Sequence, residues 1–195
     1  MTKAPGKSLT RERDPLRFLE AQGAQRDVLD GLSAIGADWH TLWHRCMRGD
    51  WLLGIAGRLD LDHGLLVRAA AACATTALVY TQDENARRLI EQAQAWSRGE
   101  TTAEEVADLV RALEASSAKA VDPSSEAACR AALAVGMGVA ERDVLASAAA
   151  AATEATVMAS LDCGFEMATR FSHAQCADRV RAEIPWEIVA ARVGT

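Results

Sequence analysis

An all-α fold is what this sequence predicts: a single-domain multi-helix bundle with short N-terminal helices and long alanine-rich helices toward the C-terminus. The tract 127–159 is packed with alanine, the best helix former, and is interrupted by Arg, Glu and Asp as a soluble bundle requires. Half of the residues are hydrophobic, yet aromatics make up only 5% and β-branched residues are sparse, which argues against a sheet. Helix punctuation by Asp, Thr, Pro and Gly recurs along the chain. At 195 residues the chain suits one domain with a real core.

Residues 1–13 are polar and basic, with Pro5 and Gly6, and are expected to form a flexible tail ahead of a helical domain over 14–195. No apolar run follows them that would act as a secretory signal. Asp14-Pro15 caps a first short helix that Gly23 ends. A second, over 25–34, carries Val28, Leu29, Leu32 and Ile35 at helical spacing and stops at Gly36. Asp38 is expected to cap 39–46, and Asp50 to cap 51–59. Asp62 opens a longer helix closing near Tyr80, with Leu65, Leu66, Ala69, Ala70, Cys73 and Ala77 on one face.

The next helix, 83–98, presents Ala86, Leu89, Ile90, Ala93 and Trp96, and Gly99 terminates it. Thr102 and Glu105 form a capping box for the helix lined by Val106, Leu109, Val110 and Leu113. A loop is expected over 116–125, then helix from 126 to about 183 with breaks at Gly136-Met137-Gly138 and Gly164. Alanine faces let helix axes approach to the close end of the roughly 8–10 Å range, leaving little room for a large cavity. Trp186, Ile188 and Val189, after Ile184-Pro185, are expected to cover the bundle end.

The longest apolar stretch, 69–80, is too short and too rich in Ala and Thr to span a bilayer, so no membrane partner is expected. Five widely spaced cysteines, Cys46, Cys73, Cys129, Cys163 and Cys176, fit reduced buried thiols in a cytoplasmic protein. Residues 1–100 carry 13 acids and 13 bases, so the net charge of −6 lies entirely in the second half. That acidity argues against nucleic acid as a direct partner and suits an acidic face aimed at a basic protein.

Residues that could carry chemistry each have a plainer reading. His40 and His44 lie one helical turn apart, as in a metal site, but lack the third ligand such a site needs. Arg48-Gly49-Asp50 matches an adhesion tripeptide in letters only and, followed at once by Trp51-Leu52-Leu53, reads as a Gly turn with an Asp cap launching an apolar helix. His173 and Cys176, three residues apart, are the nearest thing to a thiol–imidazole pair. No cofactor or metal is expected. Glu100, Glu104, Glu105 and Asp108 gather at one helix start, where they suit the helix dipole and would also serve as a binding face.

Three segments carry a resemblance to a family: Asp38-Trp39 through Cys46-Met47-Arg48-Gly49-Asp50-Trp51; residues 68–74 with the Ala95-Trp96-Ser97-Arg98-Gly99-Glu100 string; and Gln175-Cys176 through Arg181 before Ile184-Pro185-Trp186. On these the chain resembles the alanine-rich, all-helical immunity protein family of bacterial polymorphic toxin systems, whose members tend to have proline where Met47 stands. The resemblance implies a non-enzymatic cytoplasmic protein that neutralises a cognate toxin by binding it. Asp38, Trp39, Cys46, Arg48, Gly49, Asp50, Trp51, Trp96, Pro185 and Trp186 are then expected to be structural, and Glu100, Glu104, Glu105, Asp108 and Glu114 to meet the partner. The alternatives are a helical scaffold that self-associates through 127–159 or docks on an endogenous partner, and an enzyme or metal protein using the histidines or Cys176.

Overall fold

A computed structural model describes residues 14–118, 122–160 and 164–194; the basic tail and Cys163 lie outside them. Among the described residues the regular structure is eleven α-helices and two 3₁₀ turns. The helices are α1 (Pro15–Ala21), α2 (Arg26–Ser33), α3 (Trp39–Arg45), α4 (Gly49–Arg58), α5 (His63–Thr75), α6 (Glu84–Ser97), α7 (Ala103–Ser117), α8 (Pro123–Gly138), α9 (Leu145–Ala159), α10 (Phe165–Glu183) and α11 (Trp186–Val193). The all-α bundle predicted from the sequence is the fold observed.

At the centre, α5, α8 and α9 pack on one another. On one side α6 covers α5 and α8, with α7 as an outer edge helix; on the other, α4 and α10 cover α9 and α5. The pair α1–α2 and the pair α3–α11 close the margins. The alanine tract is turned inward, since Ala127, Ala128, Ala131, Ala132, Ala148 and Ala152 are all buried. Self-association through that face would compete with the packing of α8 on α9.

Side-chain caps set most helix starts. Asp14, Asp38, Asp62 and Asp83 each accept a backbone N–H in the first turn of the following helix, and Thr102 and Glu105 form the reciprocal capping box. Several boundaries differ from those read in the sequence. Asp50 does not cap: α4 starts at Gly49, and the Asp50 carboxylate turns back to Arg48. The helix from Asp62 stops at Thr75 rather than near Tyr80, with a 3₁₀ turn over Leu78–Tyr80. There the Thr75 and Thr76 hydroxyls donate to the carbonyls of Ala71 and Cys73, at 2.8 and 2.7 Å, offering the backbone groups another partner.

The loop expected over 116–125 is shorter, because α7 runs to Ser117 and Asp122-Pro123 opens α8 with the same cap-and-proline device as Asp14-Pro15. Gly136 and Gly138 belong to α8, and the break follows them. A Cβ on Gly136 would lie 2.7 Å from both Leu89 and Val110, and one on Gly138 would lie 2.1 Å from Leu145. At the far end Val189 is buried and Trp186 half-buried, but Ile188 is exposed, so it does not join the cover. The stretch His63–Tyr80 is the one described segment long and apolar enough to cross a membrane; half of it is buried inside the bundle.

Two glycines of α4 make opposite predictions. A Cβ at Gly49 would come within 2.6 Å of Cys176 Cβ and 2.8 Å of its backbone carbonyl carbon, whereas one at Gly57 would meet nothing within 4 Å. Gly49→Ala is therefore expected to destabilise by about 1–3 kcal/mol, and Gly57→Ala to stabilise by about 0.4–1 kcal/mol, both read by urea denaturation. The caps also predict an acid response. Asp38 is held below the usual carboxylate range by the Thr41 amide, Glu105 by the Thr101 hydroxyl, and Asp122 by the Ser124 hydroxyl. Their stabilisation is complete above the ordinary carboxylate values near 4 and is lost as pH falls through the lowered ones. Replacing Asp38 and Asp122 by Asn should flatten that part of the urea-midpoint profile against pH.

Candidate functional site

Two of the three motif segments, 38–51 and 175–186, meet at one place, where α10 crosses α3 and α4. Gly49 lets α4 touch the backbone of Cys176 and Ala177. Arg181 reaches from α10 to the C-terminal end of α3, its Nε donating to the Trp43 carbonyl at 2.8 Å and its terminal nitrogen to the Cys46 carbonyl. These carbonyls belong to the end of a helix, where intrahelical partners run out. Arg48 forms a two-bonded pair with Asp50, at 3.1 and 2.5 Å, and lies 4.5 Å above the Trp51 ring. The two charges of the tripeptide thus neutralise each other.

The tryptophans serve packing. Trp39 and Trp43 are buried, and Trp39 takes an edge-on contact from Phe18. Trp51 fills the space left by Gly31, where a Cβ would lie 2.1 Å from its ring. Trp96 packs edge-on against His63, whose Nε2 is 2.8 Å from the Gly138 carbonyl. Exposed Pro185 precedes α11, and Trp186 there meets both His40 and His44, at ring separations of 5.2 and 5.9 Å. The two imidazoles are 4.3 Å apart, and no group of three potential metal ligands occurs among the described residues.

The four described cysteines are buried and unbridged. The Cys73 thiol donates to the Cys176 carbonyl at 3.4 Å. Interaction with the neighbouring thiol pushes Cys73 well up and draws Cys176 down. His173, lowered by burial, directs Nδ1 to the Thr153 hydroxyl at 3.4 Å. Cys176 is fully covered, so neither a substrate nor a solvent molecule has a path to it without movement of the helices.

The five acids chosen from the sequence fall into two groups. Glu100 is paired with Arg98, Asp108 with Arg111, and Glu105 is occupied by Thr101 and Thr102 in the capping box. The carboxylates of Glu104 and Glu114 have no hydrogen bond or ion pair among the described residues. Both project from α7, which buries only Val106 and Leu113 and shows water a face of Ala103, Ala107, Ala112 and Ala115 between the acids. Glu104 and Asp108 share one side of the helix, while Glu114 lines a shallow groove with Glu126 and Arg130.

Two features were not read from the sequence. A groove of about 380 Å³ lies between the α1–α2 turn, α4 and the start of α9, and is lined by Trp51, Arg58 and Asp143 among others. Arg58 braces it, donating to the Gly54 carbonyl at 3.1 Å and reaching the Gly23 carbonyl at 3.5 Å. The other feature is a cluster of exposed apolar side chains at the start of α10: Phe165, Met167 and Phe171. The i, i+4 spacing of Met167 and Phe171 was its only signal, and spacing does not say which face turns inward.

No protein-family model, curated protein or solved structure matches this chain.

The Arg181 bridge gives a test of the motif's structural role. Arg181→Met keeps the side-chain stem but leaves the Trp43 and Cys46 carbonyls without this donor, and is expected to cost about 2 kcal/mol by urea denaturation. An unchanged midpoint would remove Arg181 from the account of how the segments are joined.

Proposed function

We propose that this is a non-catalytic binding protein of the immunity type, which neutralises a cognate bacterial toxin in the cytoplasm by covering it. The observation that carries the reading is the outer face of α7. It is a long, firmly capped edge helix whose exposed side sets the carboxylates of Glu104, Asp108 and Glu114, with Arg111, among alanines. Alanine lets a partner's surface approach the helix closely. Glu104 and Glu114 stand ready to meet cations, and the second half of the chain carries the whole net charge of −6. A basic toxin with an anion-binding cleft is the partner such a field attracts, and association would be steered by charge and weakened by salt.

The groups with potential chemistry support the same reading. Arg48 and Asp50 bond each other, Cys176 is sealed in the core, and His40 and His44 pack on Trp186. The scaffold reading gains one specific observation, the exposed apolar cluster on α10, which is distinct from the buried alanine tract.

The decisive experiment isolates the partner with C-terminally tagged protein at low salt and assays whether a stoichiometric amount of this protein abolishes its toxicity. The double variant Glu104→Lys/Glu114→Lys, whose sites are exposed, is expected to fold normally and to lose about tenfold or more in association rate at low salt. That deficit should shrink at about 0.5 M salt. Unchanged association rates would remove α7 as the contact face, and a partner whose activity survives saturation would remove neutralisation itself.

A further inference from the structure

We propose that His40 and His44 of α3, backed by Trp186 of α11, form an open two-imidazole site for a late first-row divalent transition-metal ion such as Ni²⁺ or Zn²⁺. The two residues lie one turn apart on the same side of α3, and their ring centres are 4.3 Å apart. Bonds of about 2.0–2.1 Å from one ion to two imidazoles set the ligating nitrogens roughly 3 Å from each other. Rings already this close reach that span by turning in place. Both residues are exposed, and neither imidazole has a hydrogen bond or ion pair among the described residues, so their nitrogens are free to bind.

The surroundings hold the pair and favour a cation. Trp186 meets His40 edge-on, at 5.2 Å and an interplanar angle of 87°, and its ring lies 5.9 Å from that of His44. The half-buried indole thus backs both rings and limits their excursions, which preorganises the two ligands. The Asp38 carboxylate at the start of α3 is close enough to His40 to feel its charge. Arg45, the neighbour of His44 in sequence, is turned about 100° round the helix from it.

Ligand type selects the ion. Imidazole nitrogen suits nickel, copper and zinc, whereas Mg²⁺ and Ca²⁺ take oxygen. Two protein ligands fall short of the four of a structural zinc site and the three of a catalytic one. Water therefore completes the shell, and the ion exchanges with solvent instead of residing as a cofactor. Neither ring has the outer-shell acceptor that orients the histidines of tight sites, so affinity is expected in the micromolar range. Chelation ties successive turns of a seven-residue helix, a length too short to be stable alone, and so steadies the margin where α3 meets α11. The site requires nothing of α7 and stands apart from the neutralisation reading.

Calorimetric titration of Ni²⁺, Zn²⁺ and Mg²⁺ into the full chain without a polyhistidine tag, from about 1 μM to 1 mM, brackets a micromolar dissociation constant. One Ni²⁺ or Zn²⁺ per chain is expected to bind and Mg²⁺ not to, with a melting temperature that rises with Ni²⁺ or Zn²⁺ concentration. Paramagnetic Ni²⁺ should quench tryptophan fluorescence, an effect lost in Trp186→Phe. His40→Asn and His44→Asn, both at exposed positions, should keep the wild-type circular dichroism. Each should weaken binding at least tenfold, since loss of even an outer-shell partner costs about 10–100-fold. No Ni²⁺ or Zn²⁺ binding across that range, an affinity unchanged in either histidine variant, or equal binding of Mg²⁺ would each overturn the proposal.

Discussion

Close approach of helix backbones is the constraint on which the rest of this structure depends. The core of α8 and α9 is built from alanines that bring little apolar area each, so stability must come from many atoms in contact at short range. Alanine also gives up no side-chain rotamer freedom on burial, which makes such packing efficient per residue. Backbone meets backbone at Gly49, which faces the main chain of Cys176 and Ala177 on α10, while Gly136 and Gly138 instead leave room for the side chains of Leu89, Val110 and Leu145. At Gly49 an added methyl group would run into main chain, not into a side chain that could move aside. Among the short N-terminal helices larger side chains, Trp43, Leu42 and Leu52, fill the wider spaces.

A core of small residues leaves the margins to be secured by polar groups, and arginine does much of this. Arg181 binds the end of α3 to α10, and Arg192 binds the end of α4 to α11 through the Leu59 and Asp60 carbonyls. Asp60 has a left-handed backbone, φ 53°, just beyond the end of α4, and its carboxylate receives both Arg142 and Arg192. A helix end, the turn before α9 and the last helix are thus joined at one carboxylate. In these places the guanidinium's planar fork reaches several oxygens at once, which a lysine ammonium would not reproduce.

The sequence disclosed local devices better than contacts between distant segments. Asp14, Asp38, Asp62, Asp83 and Thr102 were legible because a cap and its amide lie within three residues of each other. Asp50 misled because it has the same local look, and only its distant neighbours decide the outcome: Gly49 must be helical for α4 to lie on Cys176. Gly136 and Gly138 misled similarly, as packing spacers that resemble breakers. The acids of α7 were legible as a cluster, but their pairing to Arg98 and Arg111 depends on side-chain geometry. The apolar face of α10 escaped notice because helical periodicity identifies a stripe without saying whether the bundle covers it.

That division bears on how such a protein could acquire a partner. The interior tolerates little change, since helices at close approach transmit any added volume to their neighbours. Exposed positions on α7 and α10 carry no such penalty, and substitutions there alter charge or apolar surface while the fold stands. Recognition placed on edge helices can therefore vary independently of stability. The segments from Trp39 to Trp51 and from Cys176 to Trp186 converge on the junction of α3, α4 and α10, where they fix the frame that carries these exposed helices.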